Sequence, residues 1–166
     1  MKKILFLISV CCVSVSIAAQ SPIAKGQAQL NAGVGLSSWG YPAYLGLDFA
    51  IHKDITIGGE LSFRSYRENW WGAKGSRSAI GVSANANYHF NSILQLPSPW
   101  DFYAGINTAY FIWNTQDPNK RLLRKGFGYA GQVGCRYFIS NNVGLNFEVG
   151  GGSAFSGGKL GLTIKL

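Results

Sequence analysis

The side chains in this sequence that could carry out acid–base chemistry belong to two histidines and seven acidic residues. His52 lies in a polar run with Lys53 and Asp54, and His89 lies near the end of a segment in which polar and apolar residues alternate. A catalytic histidine needs a nucleophile beside it and an acid that orients it, and the sequence places no such pair with either histidine. We therefore predict that each histidine is a structural or solvated residue, and we predict no catalytic, cofactor-binding or metal-binding residue.

A secretory signal is predicted at the N-terminus. Lys2 and Lys3 precede an apolar run at residues 4–15, and small residues that suit a signal peptidase follow. The uncharged stretch is no longer than the shortest membrane-spanning helices of ~17 residues, so a retained helix is the weaker interpretation. We predict that residues 1–19 are removed and that residues 20–166 form one domain.

Removal of the signal changes the composition of the chain. Cys11 and Cys12 are lost and Cys135 remains, which excludes a disulfide framework and a cysteine-based metal site. The formal charge falls from +8 to +6, because Lys2 and Lys3 account for two charges. A basic exported protein favours anionic partners, chiefly lipid phosphates, and makes nucleic acid an unexpected one.

Strict two-residue alternation recurs along the mature chain, whereas helical spacing of apolar residues is absent. Leu45, Leu47 and Phe49, for example, share one face of a segment whose other face holds Gly46 and Asp48. Turn residues separate eight such segments, at residues 27–38, 44–51, 55–64, 79–90, 100–112, 126–137, 143–150 and 159–166. The pattern predicts an all-β fold of eight antiparallel strands.

Alternation alone does not show which face is outside, since a soluble lipocalin-like barrel turns its apolar face inward. Here the polar face is rich in small residues and carries eight charges, at Asp48, Glu60, Arg64, Asp101, Arg136, Glu148, Lys159 and Lys165. Charges of both signs suit a paired network in the narrow lumen of an eight-stranded barrel. The apolar face has aromatic residues towards the strand ends, as interfacial girdles require. We predict an up-and-down transmembrane β-barrel in which Arg136 and Glu148 form a bridge inside the lumen, either directly or through Gln132.

The C-terminus adds a family resemblance. Lys159 and Gly161 precede hydrophobic residues at the third-last and last positions, Ile164 and Leu166. This arrangement resembles the C-terminal insertion signal of outer-membrane proteins, although such chains more often end in Phe. The whole mature chain resembles the small OmpA/OmpX-type outer-membrane barrels of Gram-negative bacteria, and its glycine-rich style is similar to barrel-domain proteins of the Bacteroidetes. The resemblance implies insertion into the outer membrane by the barrel assembly machinery.

Two longer connections, residues 67–77 and 113–125, are predicted as external loops that combine basic and aromatic residues. The candidate lipopolysaccharide contacts in them are Arg67, Trp70, Trp71, Lys74, Arg77, Lys120, Arg121, Arg124 and Lys125. Guanidinium and ammonium groups bind phosphates, and tryptophans favour the membrane interface, although solvated loop tips would have the same composition.

These features predict a monomeric, non-enzymatic outer-membrane barrel with a role in envelope integrity or surface contact and with outer-membrane lipid and lipopolysaccharide as its nearest partners. A lipid A-modifying enzyme of the outer membrane and a soluble periplasmic lipocalin-like binding barrel are the alternatives.

Overall fold

The fold is taken from a computed structural model. It describes residues 23–37, 40–70, 73–116 and 121–166, with only the backbone of residues 66–70, 73–76, 115–116 and 121–124. The strands are β1 (Ala28–Leu36), β2 (Ala43–His52), β3 (Ile55–Trp70), β4 (Ala73–His89), β5 (Trp100–Gln116), β6 (Arg121–Phe138), β7 (Val143–Gly152) and β8 (Gly157–Lys165). The predicted signal at residues 1–19, with Cys11 and Cys12, lies outside the described residues.

The eight strands form one closed barrel in which each strand pairs with its neighbours in the sequence. Every pairing is antiparallel, and β8 closes the barrel against β1 from Gln29 opposite Lys165 to Leu36 opposite Gly158. Closure removes the sheet edges that would leave backbone groups without partners in a membrane. The predicted fold class is confirmed.

Two hairpins are longer than the alternation predicted. β3 and β4 stay paired as far as Trp70 and Ala73, and β5 and β6 as far as Gln116 and Arg121. The prediction of two long external loops was therefore wrong in its boundaries, since most of those residues are in strands. Outside the membrane a strand does not need an apolar face, so its sequence no longer alternates although its backbone stays paired. The two-residue pattern therefore ends before the strand does.

The connection between β4 and β5 contains a short helix, α1 (Asn91–Leu94), that the sequence pattern did not reveal. A hydrogen bond from the Ser92 hydroxyl to Asp54 ties it to the turn between β2 and β3. The described residues include no helix that is long and apolar enough to cross a membrane.

The two faces of the barrel differ sharply in chemistry. Leu45, Leu61 and Val82 point outward with about half of their surface exposed, whereas Gln29 and Thr163 are fully buried inside. A water-soluble barrel would have the opposite arrangement, because exposed apolar surface is unfavourable in water. The lipocalin-like alternative is therefore wrong, and the outer face is the one that contacts lipid.

Aromatic clusters lie at both rims of this apolar belt. At the end with the short turns, the Trp100 ring stacks with Phe102 and lies 4.8 Å from the ring of Tyr137. At the end with the long hairpins, the rings of Tyr110 and Phe127 are 4.9 Å apart. Short turns face the periplasm and longer hairpins face outward in bacterial barrels, so these clusters mark the two membrane interfaces.

A charge placed on the belt tests this orientation. Leu162 points outward between Ala32 and Leu145. We expect Leu162→Lys to lower the free energy of unfolding in lipid vesicles by about 2 to 4 kcal/mol if this position lies near the midplane. Asn141→Lys, in the exposed turn between β6 and β7, is the control and should leave that free energy nearly unchanged. Equal stability of the two variants in reversible urea titrations would mean that the faces are inverted.

Candidate functional site

The periplasmic half of the lumen is organised around Arg136. Its guanidinium lies 3.1 Å from Asp101 Oδ2 and 3.3 Å from Asp48 Oδ2, and each of these side chains is at most 2% exposed. Asp101 faces Arg136 from the neighbouring strand, whereas Asp48 reaches it across the barrel from β2. The same guanidinium lies over the Tyr103 ring, 4.2 Å from the ring centroid. One cation thus joins three strands through the interior.

His89 extends this cluster. Its Nδ1 lies 2.7 Å from Asp101 Oδ1, and its Nε2 lies 3.0 Å from the Thr56 hydroxyl. A neutral imidazole satisfies both contacts if Nδ1–H donates to Asp101 and Nε2 accepts from Thr56. Asp101, His89 and Thr56 are connected in the same order as the acid, histidine and nucleophile of a catalytic triad. However, each of the three is at most 1% exposed, so the hydroxyl contacts neither lipid nor solvent.

The other histidine lies outside the lumen. His52 is the last residue of β2, just before the turn to β3, and is half exposed; its Nδ1 accepts a hydrogen bond from the backbone N–H of Asp54. This position gives His52 a local role in the turn.

The external half of the lumen has a second cation shared between carboxylates. Lys159 Nζ lies 2.9 Å from both oxygens of Glu60 and 3.1 Å from Glu148 Oε1. Glu148 is its neighbour on the paired strand, and Glu60 reaches it across the barrel. The ammonium also lies 4.6 Å from the Phe155 ring centroid and 5.2 Å from that of Tyr44.

Tyr103 lies between the two clusters and corrects one predicted pairing. Its hydroxyl is within hydrogen-bond distance of Glu148 Oε2, at 2.9 Å, while its ring packs on Arg136. The predicted bridge between Arg136 and Glu148 is wrong, because this ring separates them and each charge has other partners. The route through Gln132 is wrong as well, since its amide donates to Asn87 Oδ1 at 2.8 Å. Gly134 makes room for the ring, since a Cβ there would lie 2.1 Å from Tyr103 Cζ.

The remaining two residues of the predicted interior network lie near the two ends of the lumen, against aromatic rings. The Arg64 guanidinium is 5.8 Å from the ring centroids of both Phe111 and Trp113 at the external end. Lys165 Nζ is 3.9 Å from the ring centroid of Phe138 at the periplasmic end. The eight predicted residues are thus divided between two clusters and two end positions.

An apolar plug closes the external end of the barrel, and sequence reasoning did not find it. Ala154 and Phe155, in the loop between β7 and β8, fold into the lumen and pack with Ala109, Phe111 and Ala130. The only sequence signal is the run of glycines around this loop. At one of them, Gly150, a Cβ would lie 2.4 Å from the Phe155 ring, so the small residue is needed for the ring to enter.

The structure describes only part of the predicted lipopolysaccharide contacts. Trp71 and Lys120 lie outside the described residues, and only the backbone is described for Arg67, Trp70, Lys74, Arg121 and Arg124. Arg77 is half-buried, opposite Thr115 in the β4–β5 pairing. Lys125 is exposed opposite Ile112, whose side chain is on the outer face. Residues directly opposite in an antiparallel pair share a face, so Lys125 belongs to the outer wall.

The residues of the predicted insertion signal divide between the two faces of β8. Ile164 is partly exposed on the outer face and Leu166 lies just past the strand, whereas Lys159 holds the interior ion pairs. Gly161 faces inward, where a Cβ would lie 2.3 Å from the Ala32 carbonyl oxygen and 2.4 Å from the Tyr44 hydroxyl. The glycine therefore has a packing reason to be there.

Comparison with known proteins gives matches of structure alone, since no family model and no curated protein matches the sequence. The outer-membrane protein OprG of Pseudomonas aeruginosa is similar with a TM-score of 0.65 and 11% identity, over 88% of this chain and 99% of that one. The N-terminal β-barrel domain of OprF from the same organism has a TM-score of 0.61 and 12% identity, over 87% and 100%.

A third similar structure is Ail, the attachment invasion locus protein of Yersinia pestis, solved in complex with the heparin analogue sucrose octasulfate. Its TM-score is 0.53 with 13% identity, over 85% of this chain and 96% of Ail. The shared fold and the apolar outer belt identify this chain as a small eight-stranded outer-membrane β-barrel, as predicted.

Removing Arg136 tests how far the lumen depends on its ion pairs. Arg136→Met leaves the carboxylates of Asp48 and Asp101 buried without their cation, and we expect a loss of about 3 to 5 kcal/mol in the free energy of unfolding. Adding Asp48→Asn and Asp101→Asn should restore much of that stability, because the buried negative charges are removed as well. Urea titration in lipid vesicles measures both. A triple variant less stable than Arg136→Met would contradict this account.

Proposed function

We propose that this outer-membrane barrel is a monomeric, non-enzymatic protein that supports envelope integrity by holding lipopolysaccharide against its outer wall. The observation that carries the proposal is the filled lumen. Two ion-pair clusters and an apolar plug occupy the interior along its length, so little of the described interior is accessible to a solute. Function then falls to the outer wall and the external hairpins.

Lys125 is the described residue best placed for this role. It lies on the outer wall at the external end, two residues before Phe127 in the interfacial aromatic cluster. Phe127 and Tyr129 are each about three-quarters exposed, as side chains in an interface would be. A lysine just beyond such a girdle extends its ammonium to the level of lipid headgroups, where phosphates bind it.

Two further observations support an anionic lipid partner. The chain carries 15 Lys and Arg against 7 Asp and Glu, and Arg121 and Arg124 precede Lys125 on the same strand. Ail, a barrel of the same fold, binds a sulfated sugar in its solved complex. A polyanionic ligand is therefore compatible with this architecture.

The proposal includes a route for export and assembly of the barrel. Residues 1–19 would direct the chain across the inner membrane, and the barrel assembly machinery would recognise β8 through the outward row that ends in Ile164 and Leu166. A self-contained closed sheet offers no free strand for pairing with a second copy, which favours a monomer.

The lipid A-modifying alternative has less support from the geometry. An enzyme acting on lipid A needs its histidine and nucleophile at the lipid face or the outer rim, whereas His89 and Thr56 are buried in the lumen near the periplasmic end.

Charge reversal at Lys125 tests the lipid contact. Folding of the wild-type barrel should be more favourable in vesicles that contain lipopolysaccharide than in vesicles of neutral phospholipid. We expect Lys125→Glu to reduce that difference by about 1 kcal/mol, the typical contribution of one basic residue near anionic lipid. Lys53→Glu, which reverses an exposed lysine in a periplasmic turn, is the matched control and should keep the full difference. A Lys125→Glu variant that behaves like this control would refute the proposed contact.

Mass spectrometry of lipid A separates a scaffold from an enzyme. Cells with and without the protein should give the same lipid A masses, because a scaffold binds the lipid and leaves its covalent structure unchanged. A mass change of one acyl chain that disappears in a His89→Ala strain, with the barrel still present in the outer membrane, would show instead that the chain is an enzyme.

A further inference from the structure

We propose that the external mouth of the barrel is a binding site for a small anionic sugar, separate from the outer wall and independent of the lipid contact proposed above. The site is a cavity of about 320 Å³ directly above the plug, which we call the vestibule. A cavity of this size lies at the lower end of the range for ligand sites, roughly 300 to 1,000 Å³, and suits a ligand of one sugar residue or slightly more.

The floor of the vestibule is fixed. Ala154 and Phe155 are less than a tenth exposed, and the loop that carries them is tied to β6 by backbone hydrogen bonds from Ser153 and Ala154 to the Tyr129 carbonyl, at 2.8 and 3.1 Å. Ser153 Oγ also accepts from the Tyr129 backbone N–H at 3.0 Å. A floor held in this way offers a preformed apolar surface, which reduces the entropic cost of binding.

One wall combines aromatic rings with a cation. Phe111 and Trp113 lie side by side on β5, with ring centroids 5.9 Å apart, and the Arg64 guanidinium is 5.8 Å from each. Aromatic faces bury apolar groups such as the C–H face of a sugar ring, while a planar guanidinium binds a carboxylate or phosphate with paired hydrogen bonds. A guanidinium has five N–H donors, so Arg64 can bind an anion and keep the contacts that it makes with the protein.

The opposite side of the vestibule is polar. Ser37, Ser153 and Ser156 line it, and the last two are exposed, so that the cavity opens towards the outside. The hydroxyls of Ser37 and Ser153 donate to the backbone carbonyls of Gly40 and Tyr129, at 3.0 and 3.4 Å, so each can still accept a hydrogen bond from a sugar hydroxyl. The exposed Ser156 hydroxyl can both donate and accept. The vestibule thus has an apolar floor, a wall with aromatic rings and a cation, and a polar rim. These features match a sugar ring that is apolar on one face, hydroxylated at its edge and acidic at one position.

Charge favours an acid over a neutral sugar. Among the lining residues that the structure describes, Arg64 carries a charge and none of the others does. The low dielectric of the aromatic surroundings strengthens the attraction between a guanidinium and an anion. The ligand class is therefore a monosaccharide with a carboxylate or phosphate, either free or as the terminal sugar of a lipid-linked glycan.

Calorimetric titration of the full-length mature barrel in phospholipid nanodiscs tests the site, with galacturonate as the probe and galactose as its neutral analogue. We expect galacturonate to bind at least tenfold more tightly than galactose, and Arg64→Gln to remove that preference. Lys53→Gln, which removes a positive charge at the periplasmic end, should leave both affinities within twofold of wild type. Equal binding of the two sugars by the wild type, or an unchanged preference in Arg64→Gln, would overturn the proposal.

A second variant keeps the test independent of any folding defect at Arg64. Ser156→Phe places a ring at the exposed rim of the vestibule without changing the residues of the ion pairs, and it should weaken galacturonate binding at least tenfold. A folded membrane barrel migrates differently on gels before and after boiling, and we expect this variant to keep that difference. A folded Ser156→Phe barrel with wild-type affinity would place any binding outside the vestibule.

Nanodiscs that also contain lipopolysaccharide identify the source of the sugar. If the lipid reduces the apparent affinity for galacturonate, the vestibule binds the acidic sugar of a lipid-linked glycan. If the affinity stays the same, it binds a free acidic sugar. Both results require that galacturonate binds in the vestibule. They do not depend on the lipid contact of Lys125: if Lys125→Glu leaves the effect of lipopolysaccharide on folding unchanged, the galacturonate titrations should still give the affinities expected here.

Discussion

Every charge inside this barrel must find its partner within the lumen, because the outer face contacts hydrocarbon and no charged side chain can be accommodated there cheaply. Arg136 and Lys159 each meet this constraint by serving two carboxylates, one on the neighbouring strand and one across the barrel. Two cations face four carboxylates, so neutral donors supply the remaining contacts. The side-chain amides of Gln29 and Asn31 donate to Asp48, for example, at 3.1 and 2.8 Å.

The same network determines where small residues must stand. A Cβ at Gly58 would lie 2.1 Å from Asp48 Oδ1, and a Cβ at Gly134 would enter the ring of Tyr103. Eight strands leave an interior only wide enough for side chains, so a large polar group on one strand requires a glycine on another. The high glycine content is thus the counterpart of a lumen filled by long charged and aromatic side chains.

The sequence predicts the faces of this barrel better than its contacts. Alternation assigns Leu162 to lipid and Lys159 to the lumen, because backbone geometry fixes the direction of successive side chains in a strand. It does not pair Lys159 with Glu60, 99 residues away, since contacts across the lumen depend on the tilt and stagger of all eight strands. The plug at Phe155 was missed for a similar reason: a glycine-rich run indicates a loop, but its direction depends on space that other strands leave.

The plug also bears on how many copies of the protein a cell can tolerate. An open pore adds leakage with every molecule inserted, so its abundance is limited by the gradients that the envelope must hold. Here Phe155 lies over the lysine that joins two carboxylates, and the path through the described interior is occupied by packed side chains. A barrel built in this way adds protein surface to the membrane without adding an open path through its described interior, so leakage through a pore does not set the limit on its number.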